Sequence, residues 1–241
     1  MNTGVLPMVK IGSFDLDKRP AIVSVIDDDP AENAKAAKWL GADVLELRLD
    51  LLNFSDLDEA KKTIERIKVN TSLPCIATNR LQTDGGKWEG SEDERIAVLI
   101  DILPFVEAVD IELSADASQR NRVVEAAKAA RVTIIVSAHD FNETPSVEKM
   151  KEILNSAHEV GGDIAKLAVM AKSKQDVLDM LQATADMEKP VCTIAMGEVG
   201  KHSRIVAPCY SSRLTYGAIA KAVAPGQIKI HELKSALEIL F

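Results

Sequence analysis

Positive charge is in short supply in this chain: 29 lysines and arginines are set against 37 aspartates and glutamates, a formal charge of −8. That balance excludes the broad basic face with which proteins grip nucleic acid. It leaves room for an anionic metabolite, provided a few cations converge on one pocket. Cysteine is sparse too. Cys75, Cys192 and Cys209 are odd in number, far apart and without a CxxC pair, which predicts reduced thiols and a cytoplasmic protein. No apolar run is long enough to span a bilayer, and the first ten residues lack the pattern of a secretory leader, so no membrane partner is expected. Glycine-rich phosphate loops are missing: Gly85-Gly86-Lys87 lacks P-loop spacing, and Gly197 to Gly200 is no dinucleotide turn. His158, His202 and His231 share no spacing with carboxylates that would hold a metal, so neither metal nor cofactor is expected. Of the two tryptophans, Trp39 reads as core within a helix, and Trp88 as rim or core within a loop.

What the chain does have is alternation. Strand-like runs fall at 21–26, 44–50, 75–80, 108–113, 132–138, 163–170, 191–196 and 214–218. Helical patterns fill the intervals at 30–40, 55–68, 91–103, 118–130, 146–160, 173–187, 203–211 and 231–240. Ser91 with Glu94 and Ser55 with Asp58 read as capping boxes, Pro30 and Pro145 as helix starts, and Gly41 and Gly161-Gly162 as C-terminal caps. Eight β-then-α units without a break in composition predict an α/β fold, a closed (β/α)₈ TIM barrel made by residues 1–241 as one domain. Val9-Lys10-Ile11 to Phe14 reads as a short hairpin closing the bottom of the barrel. A doubly wound open sheet is the alternative, but eight strands suit it poorly and no GxGxxG turn is present.

Charge appears where a barrel normally packs branched apolar side chains. In Val44-Leu45-Glu46-Leu47-Arg48-Leu49-Asp50 the leucines take one face and Glu46, Arg48 and Asp50 the other. In a barrel the leucines must meet the helices, which sends the charges inward, where function explains them better than stability. The same parity turns Arg80, Asp110, Glu112, His139 and Lys166 inward near the strands' C-terminal ends. Lys166 sits deep in Asp163-Ile164-Ala165-Lys166-Leu167-Ala168-Val169-Met170. A lysine so lodged is a nucleophilic amine or half of a structural ion pair. His139 is a proton shuttle or a hydrogen-bonded strand end. Arg48 and Arg80 bind a ligand, or form a lattice with Glu46, Asp50 or Asp84, and the two readings are compatible. An amine, a shuttle and carboxylates to orient it are the parts of imine chemistry.

Seven segments then resemble a single family. They are Glu46-Leu47-Arg48-Leu49-Asp50, Arg80 followed by Gly85-Gly86, Ser137-Ala138-His139-Asp140-Phe141, Lys166-Leu167-Ala168, Met196-Gly197 through Ser203-Arg204, Leu214-Thr215-Tyr216-Gly217, and Ala224-Pro225-Gly226-Gln227. In this order they are similar to type I 3-dehydroquinate dehydratases, the Schiff-base dehydratases of the shikimate pathway, over nearly the whole chain. The resemblance implies a cofactor-free hydro-lyase that takes 3-dehydroquinate to 3-dehydroshikimate by syn elimination, on the route to chorismate and the aromatic amino acids. A homodimer is expected with it.

Residue by residue, the resemblance implies that Lys166 forms the imine and that His139 is general base and acid, with Glu46 orienting it. Arg204 would pair with the substrate carboxylate, Arg48 and Arg80 would hold ring oxygens, and Gln227 would close over the substrate from the last loop. Ser24, Asp84, Tyr216 and Val223 complete the implied substrate-binding set. Three of these depart from the usual family residue: Tyr216 replaces phenylalanine, Asp84 replaces glutamate, and Val223 replaces serine. Burial beside arginines is expected to lower the Lys166 pKa. Two competing readings remain. A class I aldolase would use the same lysine on a phosphorylated sugar, and a non-catalytic sensor of quinate-like ligands would be expected to lose the lysine or the histidine.

Overall fold

The computed structural model describes residues 9–52, 54, 56–220 and 226–241. Two short strands come first, β1 (Lys10–Ile11) and β2 (Phe14–Asp15), paired antiparallel. Strands and helices then alternate: β3 (Ala21–Ile26), α1 (Pro30–Leu40), β4 (Val44–Arg48), α2 (Leu57–Thr71), β5 (Cys75–Thr78), α3 (Glu92–Ile102), β6 (Ala108–Glu112), α4 (Ala117–Ala130), β7 (Thr133–Asp140), α5 (Val147–Glu159), β8 (Ile164–Met170) and α6 (Lys174–Ala185). The remainder is β9 (Val191–Met196), the single turns α7 (Gly197–Gly200) and α8 (Ser203–Val206), β10 (Leu214–Ala218), β11 (Ile228–Lys229) and α9 (Ile230–Leu240).

Strands β3 to β9 pair in parallel in chain order, and β10 lies on the other side of β3. The seam between β9 and β10 is drawn together by one parallel bridge, Val191 to Ser212, where the Arg213 N–H donates to the Val191 carbonyl at 2.7 Å. This is the expected TIM barrel. Strand β11, absent from the sequence reading, adds a short parallel pairing beside β10.

Strand alternation sorts the apolar side chains into two layers. Leu45, Leu47, Ala77, Val109, Ile111, Val136 and Leu167 pack outward against the helices. Val23, Val44, Ile76, Ala108, Ile135, Ile164 and Leu214 pack inward, joined by Ile11 and Leu16 from the hairpin region. The hairpin therefore plugs the N-terminal end of the barrel, and Thr133 ties it down by donating from Oγ1 to the Lys10 carbonyl at 2.6 Å. With the lower barrel filled by hydrocarbon, its charged residues collect at the upper, C-terminal end.

Local signals placed most helix ends correctly. Ser91 and Glu94 form the capping box of α3, Pro30 opens α1, and Gly41 closes it at φ 103°. Helix α2 begins differently: Asp56 is its cap, accepting from the Glu59 N–H at 2.8 Å, while Ser55 lies outside the described residues. Trp39 corrects a second expectation. It is 85% exposed, because the buried face of α1 belongs to the small residues Ala34 and Ala37 and the tryptophan points away from it. Trp88 is half-buried, its indole N–H donating to the Ser91 carbonyl at 3.1 Å. Among the described residues, no helix is long and apolar enough to cross a membrane.

Candidate active site

At the C-terminal end of the barrel the inward side chains of β4 to β8 and the β5–α3 loop meet in a buried lattice of charge. Lys166 Nζ lies 2.9 Å from Asp110 Oδ2 and 3.6 Å from Glu46 Oε2. Arg80 Nη1 lies 2.8 Å from Asp110 Oδ1 and 3.0 Å from Glu112 Oε1. Thr78 donates to Glu46 at 2.7 Å, and Ser137 donates to Asp110 at 2.6 Å. On the far side of Glu112, Arg95 reaches in from α3, donating to Glu112 Oε2 at 2.9 Å and to the Asn79 carbonyl at 2.6 Å. Three carboxylates, Glu46, Asp110 and Glu112, are thus matched by three cations, Arg80, Arg95 and Lys166, all buried. A lattice so balanced answers the cost of burying each charge singly.

The balance corrects the expected state of Lys166. Burial alone would lower its pKa, but Asp110 and Glu46 outweigh burial and hold the amine above its ordinary value. In the empty site Lys166 is an ammonium. Burial would likewise raise Glu46, yet Lys166 and Arg80 keep it below the usual carboxylate range.

Above the lattice opens a cavity of about 160 Å³. That is room for one small ring with its oxygens, and too little for a dinucleotide. Arg48, Arg80, Lys166 and Arg204 line it against Glu46 and Asp84, a bias toward an anionic ligand. Tyr216, Gln227, Gly85, Phe141, Met196 and His139 complete much of the wall. Arg48 is aimed by Asp50, which accepts from its Nε at 2.8 Å and from its Nη2 at 2.7 Å. Arg204 donates from Nε to the Gly226 carbonyl at 3.0 Å, which joins it to the loop bearing Gln227. Burial brings its pKa down to about 10, so it stays a cation at neutral pH. Gly226 cannot carry a side chain there: its φ is 72°, and a Cβ would meet the Gly197 carbonyl oxygen at 2.4 Å.

His139 is oriented by Asp84, not by Glu46 as expected. Its Nδ1 lies 3.0 Å from Asp84 Oδ2. A carboxylate can only accept, so Nδ1 carries the proton and Nε2 is left as the basic nitrogen. Glu46 is drawn away by Thr78 and Lys166. Phe141 stacks on the imidazole with centroids 5.8 Å apart, in space that Gly85 leaves open. Burial, then the Arg80 charge, lower the His139 pKa against the opposing Asp84 contact, so the ring is neutral at pH 7.

One other expectation changes, and one falls outside the described residues. Ser24 is not among the cavity-lining residues. On β3 the inward positions are Val23 and Val25, so alternation turns Ser24 toward the helical layer with Ile22 and Ile26, its buried hydroxyl unpartnered. Val223 lies outside the described residues, as do Ala224 and Pro225. Sequence reading turned Asp110 inward but gave it no partner, and it assigned no role to Ser137, Thr78 or Arg95. The signal for Arg95 was available: it lies four and seven positions before Leu99 and Ile102, on the buried stripe of α3. Arg95→Met should lower stability by about 3–5 kcal/mol in urea titration, because Glu112 loses a buried partner. A loss under about 1 kcal/mol would show that the lattice can close without it. Among the described residues, no group of three histidine, cysteine or carboxylate side chains is placed to hold a metal ion.

The profile of the family described as type I 3-dehydroquinase matches residues 22–241. A 3-dehydroquinate dehydratase from Methanococcoides burtonii is 52% identical, covering 97% of this chain and all of that one. Another, from Methanosarcina barkeri, is 49% identical with the same coverage. A solved type I 3-dehydroquinate dehydratase from Clostridium difficile, described as carrying covalently modified comenic acid, superposes with a TM-score of 0.89 at 31% identity over 97% of each chain. One from Aquifex aeolicus gives 0.84 at 32% identity, over 91% of this chain and 99% of its own.

Proposed function

This chain belongs to the type I 3-dehydroquinase family, and on that premise we propose that it dehydrates 3-dehydroquinate to 3-dehydroshikimate through an imine on Lys166. It is then a hydro-lyase of the shikimate pathway, serving aromatic amino acid biosynthesis. The observation that carries the reading is the ammonium of Lys166 held between Asp110 and Glu46 at the floor of an arginine-lined cavity.

The electrostatics suit the chemistry. The ammonium gives up a proton and attacks the ketone as the neutral amine. The ketone oxygen then leaves as water carrying two of the nitrogen's protons, so ammonium and ketone give iminium and water with no net change of charge. A lattice that stabilises the Lys166 cation therefore stabilises the iminium too, and the iminium is the electron sink the elimination needs. The neutral His139 Nε2 takes a proton from the carbon next to the iminium, and the C–H electrons form an enamine. The enamine pushes out the hydroxyl one carbon further on, which leaves as water with the proton that His139 returns. One group serving as base and then as acid on one face of the ring accounts for syn elimination. Water then cleaves the conjugated iminium, releasing the enone and regenerating Lys166.

Arg204 receives the substrate carboxylate in this scheme, Arg48 and Arg80 take ring oxygens, and Gln227 closes from its loop. Asp84 fixes the tautomer of His139. The reading also takes residues 1–241 as one domain, working as a homodimer in the cytoplasm. An aldolase reading is weaker, because the anion-binding groups are guanidinium side chains and not a glycine-rich phosphate cradle. Incubating the protein with 3-dehydroquinate and following the absorbance of the conjugated enone tests the proposal. Absorbance should grow on adding enzyme, and no growth over the blank would reject it.

A further inference from the structure

The three most exposed large apolar side chains among the described residues are Trp39, Val69 and Ile239, at 85%, 82% and 84%. They fall on the last turns of α1, α2 and α9. These helices are neighbours: they come after β3, β4 and β10, which pair side by side, and α1 packs against both of the others. Each side chain stands two positions beyond a buried core residue, Ala37, Ile67 or Leu237. That is about 200° round the helix, so all three point away from the barrel. Leu240 and Phe241 extend the band, at 46% and 59% exposed. Single apolar residues scattered on a surface are ordinary, but these share one level on adjacent helices. Together they expose roughly 600 Å² of hydrocarbon, the upper end for a patch on a monomer and about the apolar share of one side of a standard interface.

We propose that the outer faces of α9, α1 and α2 are the surface on which a second copy of this chain docks, about a two-fold axis parallel to the barrel axis. Such an axis keeps the helix ends level, sets α1 against the partner's α1, and sets α2 against the partner's α9. Trp39 then meets its own counterpart at the centre, and Val69 meets the partner's Ile239. The charges above the apolar band are complementary in the same register. Lys62 lies seven residues before Val69, and Glu232 lies seven residues before Ile239, two turns up on the outward face of each helix. Both are exposed. One Glu232 oxygen accepts from the Lys229 N–H at 3.1 Å, which leaves the other for the partner's Lys62. Four residues before the apolar pair, Glu65 faces the partner's Ser235, an acceptor opposite a donor. An apolar centre with a matched polar rim is the anatomy of a stable interface.

The inference gives the homodimer reading a face and rests on that reading, so sedimentation velocity of the full chain tests both. At micromolar concentration the wild type should sediment as two chains. Trp39→Glu and Ile239→Glu should each raise the dissociation constant at least about a hundredfold, as loss of a central apolar anchor does. Both positions are exposed, so circular dichroism should not change. Lys62→Glu should weaken the dimer about three- to tenfold, the scale of a rim ion pair. Adding Glu232→Lys reverses the pair and should bring affinity back to within about threefold of wild type. A wild type that sediments as one chain would reject the homodimer reading and the inference with it. A wild-type dimer that Trp39→Glu leaves intact would keep the homodimer and overturn this face. A double charge reversal no tighter than Lys62→Glu alone would overturn the pairing of α2 with the partner's α9.

Discussion

Lys166→Ala is expected to bring turnover of 3-dehydroquinate down by at least about 10⁶-fold, the lower end of enzymatic accelerations, because the covalent route is lost. Borohydride added to the wild type with substrate should reduce the iminium, stop activity and add a ligand-derived mass. Peptide mapping should place that mass on Lys166. An adduct on the exposed Lys172 or Lys174 would sink the assignment, since neither lies against the lattice. The variant should still fold. Asp110 keeps Arg80 at 2.8 Å and Ser137 at 2.6 Å, and Glu46 keeps Thr78 at 2.7 Å. It will be less stable than wild type, because three buried carboxylates then face two buried arginines. Circular dichroism separates this from unfolding, and Lys166→Met, which keeps most of the bulk, should restore part of the stability and none of the turnover.

The fold was legible because barrels write themselves into sequence as a repeated change of period, and here eight strand-like runs alternate with helical ones. Inward charge was legible for a related reason: strand parity is strict, so the leucines of β4 fix the direction of Glu46 and Arg48. Partnership was not legible. Parity says that Glu46, Asp110 and Lys166 share a face, but which carboxylate meets which cation depends on stagger between strands. Asp84 illustrates the limit. It lies in the 3₁₀ turn Gln82–Asp84 beyond β5, where no periodicity aims a side chain, and only the folded loop brings it to His139. Ser24 failed in the opposite way. Parity on β3 turns it outward with Ile22 and Ile26, against the substrate-binding place that the resemblance to the family implies. The charge state of Lys166 was misjudged because the sequence shows cations near it but cannot weigh them against Asp110 at 2.9 Å.

His139→Ala should behave unlike the lysine variant. The amine survives and the proton shuttle is lost, so turnover should fall by roughly 10²–10⁴-fold while a covalent imine builds up on Lys166. Intact-protein mass spectrometry after borohydride reduction would detect it, and a variant within tenfold of wild type would make His139 structural. The pH profile supplies an independent check. The base must be neutral, and burial and Arg80 place the His139 pKa below its ordinary 6.5. Wild-type kcat/KM should therefore be flat through neutrality, since iminium formation from the ammonium carries no net proton. It should drop tenfold per pH unit once pH falls beneath the imidazole pKa. The Asp84 contact raises that pKa, so Asp84→Asn removes a raising influence and should move the acid limb to lower pH. It should also reduce kcat, because an amide can donate as well as accept and no longer fixes the tautomer with the proton on Nδ1. Asp84→Glu keeps the carboxylate and should keep the limb near its wild-type position. If Asp84→Asn left both the limb and kcat unmoved, the 3.0 Å contact would be incidental and orientation of the base would have to come from Phe141 stacking alone.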